Sequence, residues 1–134
     1  MPSHKLTLSV STDRRTQLVE ITAQVAAFVS KSSVASGLCH IYSPHTTAGI
    51  VINENADPDV ARDLESIFDR LVPRDAGYAH AEGNSDSHAK SILAGASQAV
   101  PIENARLALG KWQGIFFAEF DGPRRRQVHV TILS

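Results

Sequence analysis

Apolar and polar positions recur along this chain with periods that separate strands from helices. Leu6, Leu8 and Val10 alternate with polar neighbours, the period of a half-buried strand. Residues 11–16 are polar and read as a turn before a second short strand over 17–21. Thr22 offers an N-cap for a helix whose stripe carries Val25, Phe28 and Val29. Gly37 ends the connection that follows, and residues 38–42 and 47–53 read as two more strands. The clearest helix starts at Asp57-Pro58. Aspartate accepts from the free amides of a helix start, and proline at the first helical position loses no hydrogen bond. Val60, Leu64, Ile67, Phe68 and Leu71 recur at helical spacing until Pro73. Residues 73–85 form a polar loop of the length that tends to be functional or mobile, and a short helix over 87–94 stops at Gly95. The last third reads as strands over 97–102, 106–109, 113–120 and 127–133, with Asp121-Gly122-Pro123 turning the chain before the last. In that strand Val128, Val130 and Ile132 face one way and Gln127, His129 and Thr131 the other. The order predicts an α+β fold of largely antiparallel, β-sandwich-like sheets, with two main helices and one short helix.

Composition narrows the class. Hydrophobic residues make up 43% and aromatics 6%, which fills one largely aliphatic core in a single domain over 1–134. The formal net charge of −1 lacks the footprint of a nucleic-acid binder. A lone cysteine, Cys39, builds no disulfide framework, and it reads as core rather than nucleophile. The N-terminal residues lack the apolar run of a signal peptide and no stretch is long enough to span a bilayer, so a cytoplasmic protein without a membrane partner is expected.

Unusual polar chemistry concentrates in three segments. Pro44-His45-Thr46-Thr47, with Asn53-Glu54-Asn55 further along the same strand, sets an imidazole and two hydroxyls at a strand mouth, where they can hold an anion or orient water. The plain alternative is a solvated turn with threonines chosen for strand propensity. Residues 78–88 hold His80, Glu82, Asp86 and His88, ordinary ligands of zinc and similar metals, at a spacing that matches no compact metal motif. A polar surface loop explains them equally well. Glu119-Phe120-Asp121-Gly122-Pro123-Arg124-Arg125-Arg126 combines carboxylates with guanidinium groups suited to phosphate, or else is a charged hairpin. Strand alternation puts Arg124 and Arg126 on one side, where an anion or Glu119 is expected between them. Trp112 reads as packing.

Taken together, these segments resemble the YjbQ-like family, also called the secondary thiamine-phosphate synthase family. Pro44-His45-Thr46-Thr47-Ala48 with Asn53-Glu54-Asn55-Ala56-Asp57-Pro58 is similar to its first signature. Gly110-Lys111-Trp112-Gln113-Gly114-Ile115-Phe116 is similar to the second, and the segment from Glu119 to Arg126 to the third. Three departures stand out. Lys111 replaces a threonine, Ala105 replaces a common glycine so that Asn104 must help turn the hairpin, and Asp86 replaces the first histidine of a His-Ala-His helix start while His88 and Lys90 remain.

The resemblance implies a homotrimer with polar pockets near subunit boundaries, and thiamine-phosphate synthase activity as a secondary function. That reaction joins a pyrimidine methyl diphosphate to a thiazole phosphate and releases diphosphate. His45, Thr46, Glu54 and Glu119 are the catalytic candidates on this reading. Thr47, Asn53, Lys90, Gln113, Arg124 and Arg126 are the candidates for binding a small phosphorylated metabolite. A divalent metal, Mg or Zn, is suspected: Glu82, Glu119 or Asp121 suit the first, and His45, His80 and His88 the second. A metal-dependent hydrolase of such a metabolite, or a binding protein without turnover, are the alternatives. The three histidines are expected to converge.

Overall fold

The computed structural model describes residues 3–134. Its elements run β1 (Ser3–Ser11), β2 (Gln17–Glu20), α1 (Thr22–Ser32), β3 (Gly37–Tyr42), β4 (Ala48–Glu54), α2 (Pro58–Leu71), α3 (Ser85–Ala94), β5 (Ser97–Glu103), β6 (Arg106–Leu107), β7 (Gln113–Glu119) and β8 (Arg125–Leu133). One sheet has the order β1-β8-β3-β5-β6 and the other β2-β7-β4, with every pairing antiparallel. The α+β class, the three helices and the antiparallel sheets expected from the sequence are present.

Alternation along each strand builds the core. Val128, Val130 and Ile132 of β8 point inward beside Cys39 and Ile41 of β3 and Val100 and Ile102 of β5. Ile50 of β4, with Ile115 and Phe117 of β7, meets them from the second sheet, and Val25 and Val29 of α1 join the same cluster. Cys39 lies fully inside, where burial pushes its thiol pKa up to about 11 and leaves it an inert core group. No helix among the described residues is long and apolar enough to cross a membrane.

Element ends differ from the sequence pattern for local reasons. Thr22 is the first helical residue rather than the cap; its hydroxyl donates to Glu20 Oε2 at 2.9 Å and accepts from the Ile115 amide at 2.8 Å. Asp57 caps α2 as expected, accepting from the Asp59 amide at 2.9 Å, but Ile67 and Leu71 stay exposed. α3 starts two residues early, at Ser85, with Asn84 in the cap position. The side-chain amide of Asn84 caps nothing because it is turned to Asp121, 2.8 Å away.

β6 is shorter than expected because Pro101 opposite it has no N–H to return the bond that its carbonyl accepts from Ala108. Asn104 and Ala105 both take left-handed backbone, φ 52° and 63°, in a two-residue hairpin turn. Ala105 thus occupies a conformation that glycine adopts without strain. Trp112 is 56% exposed rather than packed, with Lys111 Nζ 4.9 Å from its ring centroid.

Candidate functional site

Strand pairing carries the β3–β4 connection, the β7–β8 turn and the start of α3 to one end of the molecule. Ala48 at the start of β4 pairs with Glu119 at the end of β7, and the Phe120 amide extends the ladder to the Thr47 carbonyl at 3.1 Å. α3 is fastened across this end by hydroxyls: Ser87 donates to the Phe120 carbonyl at 2.5 Å and Ser91 to the Ala48 carbonyl at 2.7 Å. The helix end comes so close that a Cβ on Gly49 would stand 2.5 Å from the Gly95 carbonyl oxygen, so only glycine fits there. β8 begins two residues earlier than its pattern suggests, and the register Val10↔Arg126 turns Arg126 inward.

Arg126 and Glu119 form a buried ion pair beneath the site, with residue exposures of 4% and 0%. Arg126 Nε donates to Glu119 Oε1 at 2.8 Å, and Nη2 donates to Oε2 and to the Thr47 hydroxyl, the latter at 2.8 Å. Glu119 also accepts from the Thr12 hydroxyl at 2.8 Å and from the Asp121 amide at 3.0 Å. Burial pushes the Glu119 pKa up, but Arg126 and the other donors more than offset it and hold the carboxyl below its usual range. Every acceptor position of Glu119 is taken, and it does not line the cleft above. Its catalytic assignment therefore gives way to a positioning one: it fixes the guanidinium, whose Nη1 corner has no hydrogen-bond partner among the described residues.

That cleft has a volume of about 310 Å³, and Arg126 lines it together with His45, Thr46, Thr47, Arg124 and His88. Asp121, Glu82 and Asn84 complete the polar wall. Arg124 is held on Asp121, donating from Nε to its carbonyl at 2.9 Å and from Nη2 to its carboxylate at 3.2 Å. Arg124 and Arg126 do share one side, and Arg126 does meet Glu119, as strand alternation suggests. His45 Nε2 accepts from the Gln127 amide at 2.9 Å, so the neutral ring carries its proton on Nδ1. Burial, and next the Arg126 charge, hold the His45 pKa below the ordinary imidazole value. His45 thus offers a donor and has no lone pair free for a metal.

The other candidates divide between places. His80 and His88 meet edge to face, 5.7 Å between ring centroids, and His88 lines the same cleft as His45. His80 instead lines a separate hollow with Arg74 and Tyr78, and its Nε2 is 3.8 Å from Glu82 Oε2. Among the described residues no group of three His, Cys, Asp or Glu side chains is gathered for a metal. The expected three-histidine centre does not assemble within one protomer. Asn53, Glu54 and Gln113 sit at the opposite end of the β4–β7 pair from Thr47. Five strand residues, 48–52, at roughly 3.3 Å each lie between Thr47 at the cleft and Asn53.

The neighbouring Asn55 instead ties the strand end to Glu20 at 2.7 Å, a structural role for that part of the motif. Lys90 is also absent from the cleft, buried between Asp86 at 2.9 Å and Asp69 at 3.0 Å. Asp86 is no spare ligand, because Arg15 grips both of its oxygens at 3.0 and 3.1 Å. Thr12 and Asn84 are site residues that sequence reasoning misses. Asn84 Oδ1 is the one buried side-chain polar atom among the described residues that lacks a hydrogen-bond partner.

The profile of the family described as "UPF0047 protein YjbQ-like" matches residues 6–134. The chain belongs to this family. A UPF0047 protein of Methanocaldococcus jannaschii is 51% identical over 125 residues, covering 93% of this chain and 91% of the relative. The UPF0047 protein YugU of Bacillus subtilis is 49% identical over 129 residues, 96% and 98% of the two chains. A YjbQ/UPF0047 crystal structure from Clostridium acetobutylicum superposes with a TM-score of 0.94 at 49% identity, covering 96% of this chain and 99% of that one. A YbjQ-like protein from Sulfolobus solfataricus reaches 0.96 at 33% identity, covering 99% and 98%. Family membership accounts for the fold of this YjbQ-like protein.

Proposed function

We propose that the cleft binds the phosphate-bearing part of a small metabolite and supports thiamine-phosphate synthase-type transfer. The carbon–oxygen bond from the pyrimidine methylene to diphosphate breaks, diphosphate leaves with the electron pair, and the thiazole nitrogen bonds to the methylene. The observation that carries this reading is the buried Arg126, held on one edge by Glu119 and lining the cleft with its remaining donors. A preset donor of this kind stabilises growing negative charge without reorganising. Arg124, the His45 Nδ1–H and the Thr46 hydroxyl surround the same space, so His45 and Thr46 bind and orient the leaving group.

Asp121, Glu82 and Asn84 line this cleft and offer oxygen ligands, a chemistry that suits Mg rather than Zn. The ion, when bound, would neutralise diphosphate charge. Hydrolysis of a phosphorylated metabolite is the second reading, favoured by His88 in the same wall as these carboxylates.

Diphosphate release from the two thiamine precursors with Mg²⁺ tests the assignment, and phosphate release from one precursor alone would favour the hydrolase instead. Arg124→Ala is expected to weaken diphosphate binding by about 1.5–3 kcal/mol, the worth of a charge-assisted hydrogen bond, and Arg125→Ala by far less. Calorimetry showing equal, negligible effects of both replacements, with no turnover, would reject the site.

A homotrimer working in the cytoplasm completes the proposal. Leu38 and Leu133 are register partners on the outer face of the five-stranded sheet, 40% and 38% exposed, and Tyr42 extends this apolar strip. Subunit contact is the economical cover for such a face. A solution mass of three times the 14.4 kDa protomer is expected by light scattering, and a monomer at micromolar concentration would refute it.

A further inference from the structure

A second cleft, about 410 Å³ in volume, lies where the β1–β2 connection, α2, the loop after α2 and α3 come together, and Arg14, Arg15, Thr16, Asp69, Arg74 and Lys90 line it. Three of its cations are fastened in place. Arg14 is paired with Glu65 at 2.8 Å, Arg15 with Asp86, and Lys90 with Asp69 and Asp86. Lys90 is only 1% exposed, yet its ammonium stands at the cleft wall with one of its three N–H donors unused by these carboxylates. Arg74 is exposed and has no ion-pair or hydrogen-bond partner among the described residues, so its whole fork is available.

The four cations outnumber the carboxylates they touch, Glu65, Asp69 and Asp86, by one. Burying an ammonium is unfavourable unless charge surrounds it, so fixing Lys90 at a cleft wall is an expensive way to hold a helix. Asp86 stays ionised throughout ordinary pH, with its pKa lowered to about 2, and keeps Arg15 and Lys90 fastened on it.

We propose that this second cleft is an anion site that takes a phosphoryl group between Lys90, Arg15 and Arg74. These three cations come from three separate elements and line one space, with Arg15 and Lys90 side by side on Asp86. A tetrahedral phosphoryl group, with three oxygens to offer, meets such donors better than a planar carboxylate does. The site is distinct from the first cleft but touches it: the Arg15 carbonyl accepts from the Gly122 amide at 3.1 Å, in the turn that carries Asp121 and Arg124. It does not depend on the reaction assigned to the first cleft.

Titrating inorganic phosphate into ¹⁵N-labelled protein at constant ionic strength tests the proposal. Saturable shifts of the Thr16, Arg74 and Lys90 amides are expected, and Arg74→Ala should raise the Kd read from them roughly 10-fold or more. Arg124→Ala, in the first cleft, should leave those shifts unchanged, whether or not it abolishes binding there. Shifts confined to residues of the first cleft, or an Arg74→Ala protein with unaltered second-cleft affinity, would overturn it.

Discussion

Replacing Glu119 by glutamine is expected to destabilise the protein by about 3–5 kcal/mol, because it leaves the buried Arg126 guanidinium without its counter-charge. The substitution keeps the shape of the side chain, so packing loss does not explain a result of that size. It also makes one of the two acceptor oxygens a donor amide facing Thr12, Asp121 or Arg126, all of which already donate to Glu119. The effect has a pH signature. The folded-state pKa of Glu119 is depressed, so its contribution is present above the unfolded value of about 4.3 and is lost as pH falls through the folded value. Urea unfolding should therefore show a wide gap between wild type and variant at neutral pH that narrows in acid. A difference under about 1 kcal/mol at pH 7 would mean that water or a neighbour already compensates Arg126.

Asp86→Asn is expected to have an effect of similar size, about 3 kcal/mol or more, from a different pair of cations. Asp86 is wholly buried and serves Arg15 and Lys90 together, and Lys90 would be left with Asp69 alone, a carboxylate whose side chain is half exposed. Burial opposes the charge on Asp86, but the hydrogen bonds from Arg15 and Lys90 outweigh it and carry the pKa from 3.8 down to about 2. That lowering corresponds to roughly 2–3 kcal/mol of stability, present above pH 4 and lost between about pH 4 and 2. Denaturant curves for wild type and Asp86→Asn should converge across that window. Curves that stay equally far apart down to pH 2 would show that the variant acts through packing rather than charge.

Periodicity made most of the fold legible, because alternation in β8 and the Asp57-Pro58 helix start are local signals. The candidate site was legible only where its residues cluster in sequence. His45 to Thr47 and Arg124 to Arg126 meet because the ends of β4 and β7 are register partners. Asn53 and Glu54 look like part of the same motif, yet a strand carries its two ends apart, and they landed at the far end of the sheet. Lys90 misled for a related reason: a helical lysine looks available until the chain brings Asp69 and Asp86 against it. Thr12 carries no local mark at all, since its role follows from the pairing of β1 with β8. The donor state of His45 is likewise set by the Gln127 amide, a neighbour that spacing cannot reveal.

The place of β8 between β1 and β3 has a consequence for the order of events as the chain folds. Leu6 must wait for Val130 before it has any strand neighbour, and Ile41, paired with Gln98 of β5 on one side, waits for the same residue on the other. The five-stranded sheet therefore cannot close until residues 125–133 are available, and everything made earlier is held open with unpaired edges. Such long-range pairing slows folding, since loop closure precedes the contacts that reward it. Arg126 lies on that late strand, so the buried charge of Glu119 acquires its counterion in the same step that completes the sheet. An intermediate lacking β8 would carry a dissatisfied carboxylate at its centre, which favours assembly in one cooperative transition over a populated half-built state.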